Sequence, residues 1–205
     1  MKCVNWKILI ITSFICLLPI IFGVAVWDSL PDSMAIHFDL YGNPDNFASK
    51  SFVVFGLPVM LCFFQIFCCI TNDMVYKKYG ENEKVENVLK WIIPVVGAVL
   101  YTVTIGFGLG WDIDMRKIAV FLVGSIFVVT GNCLPKLNYI RNLKVEEYKA
   151  RKINRFVGIL TVIMGILFLV SIFLPTVYSM ICLALIIPYA IFCMVYSIVI
   201  SKNRE

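Results

Sequence analysis

Hydrophobic positions in this chain gather into long blocks instead of recurring at the period of an amphipathic helix or strand. Six blocks, residues 8–26, 51–70, 92–110, 118–134, 156–174 and 179–200, contain no Asp, Glu, Lys or Arg. About 20 apolar residues at 1.5 Å each cross a hydrocarbon core about 30 Å thick, so each block predicts a transmembrane helix. The fold class expected is all-α, a polytopic membrane protein of six transmembrane helices with both termini cytoplasmic. Residues 1–205 read as one membrane domain, with an external loop at 27–50 and a basic cytoplasmic loop at 135–155. Pro19, Pro58, Pro94 and Pro188 fall inside blocks and predict kinks. Only residues 175–178 separate the last two blocks, a tight external hairpin.

Composition agrees with this reading. Of 205 residues 60% are apolar, and the 18 Lys and Arg and 13 Asp and Glu all lie between the blocks, which excludes a water-soluble globular domain. No segment between blocks is long enough for a separate soluble catalytic domain. Lys2 and Lys7 precede an apolar run containing Gly23-Val24-Ala25, as in a secretory signal, but the run is long for a signal and reads as a span. Cys16, Cys62, Cys68, Cys69, Cys133, Cys182 and Cys193 lie inside the blocks and only Cys3 outside. They read as small apolar packing residues, not as a disulfide scaffold.

Charge sets the expected orientation. With the N-terminus in the cytoplasm, 15 of the 18 basic residues fall inside and only Lys50, Arg116 and Lys117 outside, as the positive-inside rule requires. Trp6 with Trp27 and Trp91 with Trp111 bracket the first and third blocks as interfacial anchors. The blocks lack ionisable groups at depth, which speaks against a pump, channel or proton relay. Gln65 and Asn132 are expected to face other helices. Gly106 with Gly110, Gly124 with Gly131, and Gly158 with Gly165 predict close helix contacts, with homodimerisation as an alternative use.

Polar chemistry concentrates in the external loop, which carries Asp28, Asp32, Asp39, Asp45 and the only histidine, His37. Residues 34–38 read as extended and 42–45 as a turn, where Gly42 is free to take positive φ and Pro44 pre-sets a turn position. Zinc would need three or four ligands in one shell, and these residues have no recognised spacing, so no metal and no cofactor is expected. A histidine oriented by a carboxylate is an acid–base pair. It keeps open an alternative function, a small membrane transporter or a lipid-modifying enzyme using His37 with Asp32 or Asp39. A structural or assembly role is a third reading. On the opposite face, residues 135–155 carry a net +5, suited to anionic lipid headgroups or to docking a cytosolic protein. Glu147 and Arg151 at i, i+4, with Leu137, Ile140 and Leu143 spaced by three, predict a short interfacial helix. Direct nucleic-acid binding is not expected, because that face is pressed against an acidic membrane.

Leu30-Pro31-Asp32, Ile36-His37-Phe38-Asp39, Gly42, Pro44-Asp45 and Ser49-Lys50, followed by Pro58 in the next block, closely resemble the L-P-D…H-F-N-x-x-G-x-P-D…S-K domain of SdpI-type bacterial membrane proteins. Gly131-Asn132-x-Leu134-Pro135-Lys136, with Asn138 and Ile140-Arg141, resembles the G-N-x-L-P-K…N…G-I-R segment of the same family. Ala35, Asp39 and Phe47 stand where that family usually has Pro, Asn and Trp, and its T-P-W-T after G-I-R is absent. The resemblance implies immunity to a secreted membrane-active antimicrobial peptide or toxin in the bacterial cytoplasmic membrane, without enzymatic activity or a catalytic residue. It further implies sensing of the toxin by capture of a cytosolic transcriptional repressor. Recognition is then expected at Asp32, His37, Asp39, Gly42, Pro44, Asp45 and Lys50. The cytoplasmic face is expected at Asn132, Lys136, Asn138 and Arg141, against membrane lipids and the repressor.

The partition of basic residues predicts a labelling pattern. In a background without native cysteines, Cys at Ser49 should react with an impermeant thiol reagent on intact cells and Cys at Asn142 should not. The reverse labelling overturns the orientation.

Overall fold

A computed structural model describes residues 4–79, 82–137 and 147–202. Among these residues, six helices are long and apolar enough to cross a membrane: Trp6–Ala25, Phe52–Met74, Glu83–Gly108, Met115–Lys136, Tyr148–Ser171 and Thr176–Ser201. The chain is thus an all-α multi-pass membrane protein, with one small sheet between the first two spans. Several spans run beyond the charge-free blocks because a helix end needs no apolar side chains, only paired backbone groups. The basic segment at 135–155 is accordingly not all loop: it opens with a 3₁₀ turn at Leu134–Lys136, and its last part belongs to helix α6, Glu147–Ser171. The expected interfacial helix falls mostly on 138–146, outside the described residues, as do Asn138 and Arg141.

The chain divides into two compact units, Met1–Lys77 with Glu86–Arg116 and Lys78–Val85 with Lys117–Glu205. The first holds spans one to three and the sheet. Span one is broken into α1 (Trp6–Leu17) and α2 (Ile20–Ala25) at Pro19. Span two starts with a π-helical turn, Phe52–Gly56, before α3 (Leu57–Tyr79), and span three is α4 (Glu83–Gly108) with Pro94 inside it. A proline removes the N–H that would pair with the carbonyl four residues earlier, and hydrocarbon supplies no water to replace it. In the π-turn ahead of Pro58, the Val54 carbonyl accepts from Tyr101 Oη of span three at 3.3 Å. Opposite Pro94, the Lys90 carbonyl accepts from Gln65 Nε2 of span two at 2.9 Å. Each span therefore donates a side-chain bond to a backbone carbonyl of the other, close to a proline. Gly23 lets α2 approach this lock, since a Cβ there would strike Tyr101 Oη.

The second unit contains α5 (Met115–Cys133), α6 and α7 (Thr176–Lys202). Gly124 and Gly131 of α5 meet Gly165 and Gly158 of α6 backbone to backbone. A Cβ on Gly131 would lie 2.8 Å from the Gly158 carbonyl oxygen, and one on Gly165 2.7 Å from that of Gly124. These pairs are the close helix contacts expected from their spacing, formed within one chain, as small-residue faces allow. Above them Phe168 is fully buried with Val120, Met164 and Cys182, and Thr161 Oγ1 lies 2.5 Å from Tyr189 Oη of α7.

Two sequence expectations are corrected. Gly106 and Gly110 do not pack a helix: Gly110 takes φ +82° after the last turn of α4, and the Trp111 N–H donates back to the Gly106 carbonyl at 3.0 Å. This is a left-handed C-cap, with the Trp111 ring folded over the bare Gly106 Cα. Asn132 is exposed, where its amide oxygen accepts from Lys136 Nζ at 3.5 Å, whereas Gln65 is wholly buried between spans two and three. Asn132 sits on the exposed side of α5, one residue past the buried Gly131.

These placements separate two polar residues that look alike in sequence. Gln65→Leu should lower the thermal stability of the detergent-purified protein by about 1–3 kcal/mol, the cost of stranding a buried carbonyl. Asn132→Leu should stay within about 0.5 kcal/mol of wild type, as for an ordinary surface change. Equal effects would contradict the Pro94 lock.

Candidate functional site

The segment between the first two spans folds as an antiparallel hairpin of β1 (Ser33–Phe38) and β2 (Pro44–Ser49). It is tied to the first unit by three contacts that sequence reading did not single out. Met34 is buried, with its methyl group reaching the bare Cα of Gly108 at the end of span three, where a Cβ would lie 2.6 Å from it. Phe38 stands edge-on to Phe107 with ring centroids 5.0 Å apart. Lys50 turns inward, 17% exposed, and lies 4.9 Å from the centre of the Trp27 ring. Its ammonium donates to the carbonyls of Leu30 at 3.2 Å and Trp27 at 3.4 Å and pairs with Asp32 at 3.4 Å. With three oxygen partners and an aromatic face, Lys50 closes the base of the hairpin, which the Lys50 N–H to Asp32 carbonyl bond also fastens at 2.9 Å.

Asp39 is built into the tip. Its carboxylate accepts from the Tyr41 and Asn43 backbone N–H groups, both at 2.8 Å, and from Asn43 Nδ2 at 3.1 Å. Gly42 sits between them at φ +91°, a conformation that side chains with a Cβ rarely adopt. Pro44 does not belong to the turn, as its sequence position suggested; it pairs with Phe38 and opens β2, where a missing N–H is tolerated at the first residue of an edge strand.

The register then slips twice, between Ala35 and His37 and between His37 and Phe38, so that Ile36 and Asp45 are extra residues on opposite strands. The slip sets His37 against Asp45, with Nδ1 and Oδ1 2.5 Å apart. An ionised carboxylate only accepts, so Nδ1–H is donated and Nε2 is left for a second partner. The carboxylate that orients His37 is therefore Asp45, not Asp32 or Asp39, which are engaged with Lys50 and the turn. Strand alternation counted from sequence cannot find this pair, because it depends on the bulges. His37 and Asp45 are 66% and 47% exposed, and Leu40, Tyr41 and Phe47 of the same hairpin segment are exposed as well. Among the described residues, no three of His, Cys, Asp and Glu converge as metal ligands.

The hairpin thus separates residues that build it, Asp39, Gly42, Pro44 and Lys50, from residues that face outward, Asp32, His37 and Asp45. Its turn is pH-sensitive. The backbone N–H of Asn43, then the Asn43 side chain and the neighbouring amides, holds the Asp39 carboxyl below its usual range. A depressed carboxyl stabilises the fold above its unfolded pKa and loses that contribution as pH falls through the folded value. Wild type and Asp39→Ala should therefore differ in amide exchange at Tyr41 and Asn43 at about pH 7, with slower exchange in wild type, and converge once acid protonates the Asp39 carboxyl. A difference that persists unchanged in acid would remove the carboxylate from the turn.

Residues 14–62, spanning most of the first span, the whole hairpin and the start of span two, match a domain of unknown function, DUF1648. No curated protein and no solved structure matches the chain.

Proposed function

We propose that this multi-pass membrane protein is an SdpI-like immunity protein of the bacterial cytoplasmic membrane, protecting the cell from a secreted, cationic, membrane-active peptide. The observation that carries this reading is the ordered hairpin. It presents His37 and Asp45 as an exposed hydrogen-bonded pair on a segment that also exposes Leu40, Tyr41 and Phe47. An amphipathic cationic peptide needs both an acidic and an apolar surface, and the segment 27–50 carries a net −3 with His37 neutral. Attraction of that kind acts over a Debye length of about 8 Å at physiological salt and favours encounter at the outer surface. The domain match over residues 14–62 supports the reading, since it covers the hairpin and the helices that hold it.

A sensing output rests on the opposite face. Asn132 and Lys136 lie exposed at the end of span four, on the segment whose sequence resembles the family's second motif. A cytosolic repressor docked there, beside the lipid headgroups that the basic segment contacts, would link toxin binding to transcription. Neither activity requires a cofactor, a metal or direct contact with nucleic acid. The enzyme or transporter alternative would use the same His37 and Asp45 pair and predicts a product or a flux that disappears with His37→Ala.

Ala at His37 or Asp45 should reduce protection of a sensitive bacterium by about tenfold or more in tolerated peptide concentration, the equivalent of one charge-assisted hydrogen bond of about 1.5–3 kcal/mol. Asp32→Ala should cost less, since Lys50 keeps its other partners. Membrane abundance and detergent thermal stability, measured on the same variants, should remain near wild type. Abundant, stable and fully protective His37 and Asp45 variants would make the hairpin a structural cap.

A further inference from the structure

The first unit buries three ionisable side chains on the side of the bundle that holds the N-terminus. Lys90 of span three is 2% exposed, Asp73 of span two 6% and Glu86 of span three 7%. Lys90 Nζ pairs with Asp73 Oδ1 at 2.5 Å and with Glu86 Oε1. Asp73 Oδ2 also accepts from the Asn5 backbone N–H at 3.0 Å, which fastens the start of α1 to the end of span two. Both carboxyl groups thus converge on one ammonium. Among the described residues, the titratable groups that face the cluster are these three and the Cys69 thiol of span two.

Charge balance requires a proton on one of the two carboxyls. Two carboxylates against one ammonium leave a net −1 where solvent is excluded, and a buried uncompensated charge is strongly unfavourable. One bound proton makes the cluster neutral.

We propose that Asp73, Glu86 and Lys90 form a binding site for a single proton, which joins the start of span one, the end of span two and the start of span three in a neutral cluster. Occupied, the site holds Asn5, Asp73 and Lys90 together. Emptied, it leaves a negative charge between the second and third spans and weakens the attachment of the first. Proton activity on the N-terminal side of the membrane then sets how firmly the three helix ends are joined.

Infrared difference spectroscopy of the full chain in detergent, in light and heavy water, tests this directly. Wild type at about pH 6, where exposed carboxyls are ionised, should display one carboxylic-acid C=O band that shifts in heavy water. Glu86→Gln and Asp73→Asn should each lose the band, because one carboxylate and one ammonium already balance. Lys90→Met should keep it. Absence of the band from wild type overturns the proposal, and this result needs no variant to fold. A wild-type band that survives both carboxyl substitutions overturns it too, by placing the proton elsewhere.

Discussion

A carbonyl released by proline inside a hydrocarbon layer must find a donor in protein, because no water reaches it. The first unit is organised around two carbonyls close to prolines. Tyr101 donates to Val54 in the π-turn ahead of Pro58; Pro94 removes the partner of Lys90 and Gln65 supplies one. The donors come from the opposite span in each case, so the kinks and the helix pairing are one structural fact. Apolar side chains pack no better on each other than on lipid, and directional bonds of this sort therefore fix which faces of spans two and three meet. In the second unit, the same role falls to bare glycine faces, where α5 and α6 touch through backbone atoms.

The lock in the first unit also supports the hairpin. Tyr101 packs with Val53, Val54 and Ile105 into the core that continues through Leu30 and Met34. The hairpin is thereby anchored by apolar contact on one side and by the Lys50 clamp at its base. Most of the motif residues are consumed in this construction. What the scaffold leaves outward is a short list, His37 with Asp45 and the solvent-facing Asp32, and the two bulges decide it. A two-stranded hairpin has little stability of its own, so its precision comes from the helix ends beneath it.

At the other end of the same spans, the buried ionic cluster occupies a place that sequence composition renders invisible. Asp73, Glu86 and Lys90 lie just outside the charge-free blocks, and only Lys90 enters the count of basic residues that orients the chain. Helix continuation brings them together on α3 and α4, within two turns of the apolar blocks, where they are buried. The Lys90 main chain and side chain serve both systems, the carbonyl receiving Gln65 and the ammonium holding the carboxylates. A change at the cluster is therefore coupled to the pairing of the two helices.

The sequence by itself determined that the chain crosses the membrane six times, since a run of about 20 apolar residues has no other stable use in a chain this apolar. It also determined the hairpin turn, because Gly42 and the residues around it carry their conformational preferences locally, and it marked the glycine faces of α5 and α6 by their seven-residue spacing. Tertiary structure alone decided which polar residues are interior: Gln65 is and Asn132 is not, and Gly106 and Gly110 end a helix where their spacing suggested a contact. It decided that His37 meets Asp45, and that three charges at the span ends are buried as a group. The physical reason is the same throughout. Hydrophobicity and backbone preference are properties of a residue and its neighbours in the chain, whereas the partner of a hydrogen bond or a charge lies on another element and exists only once both are packed.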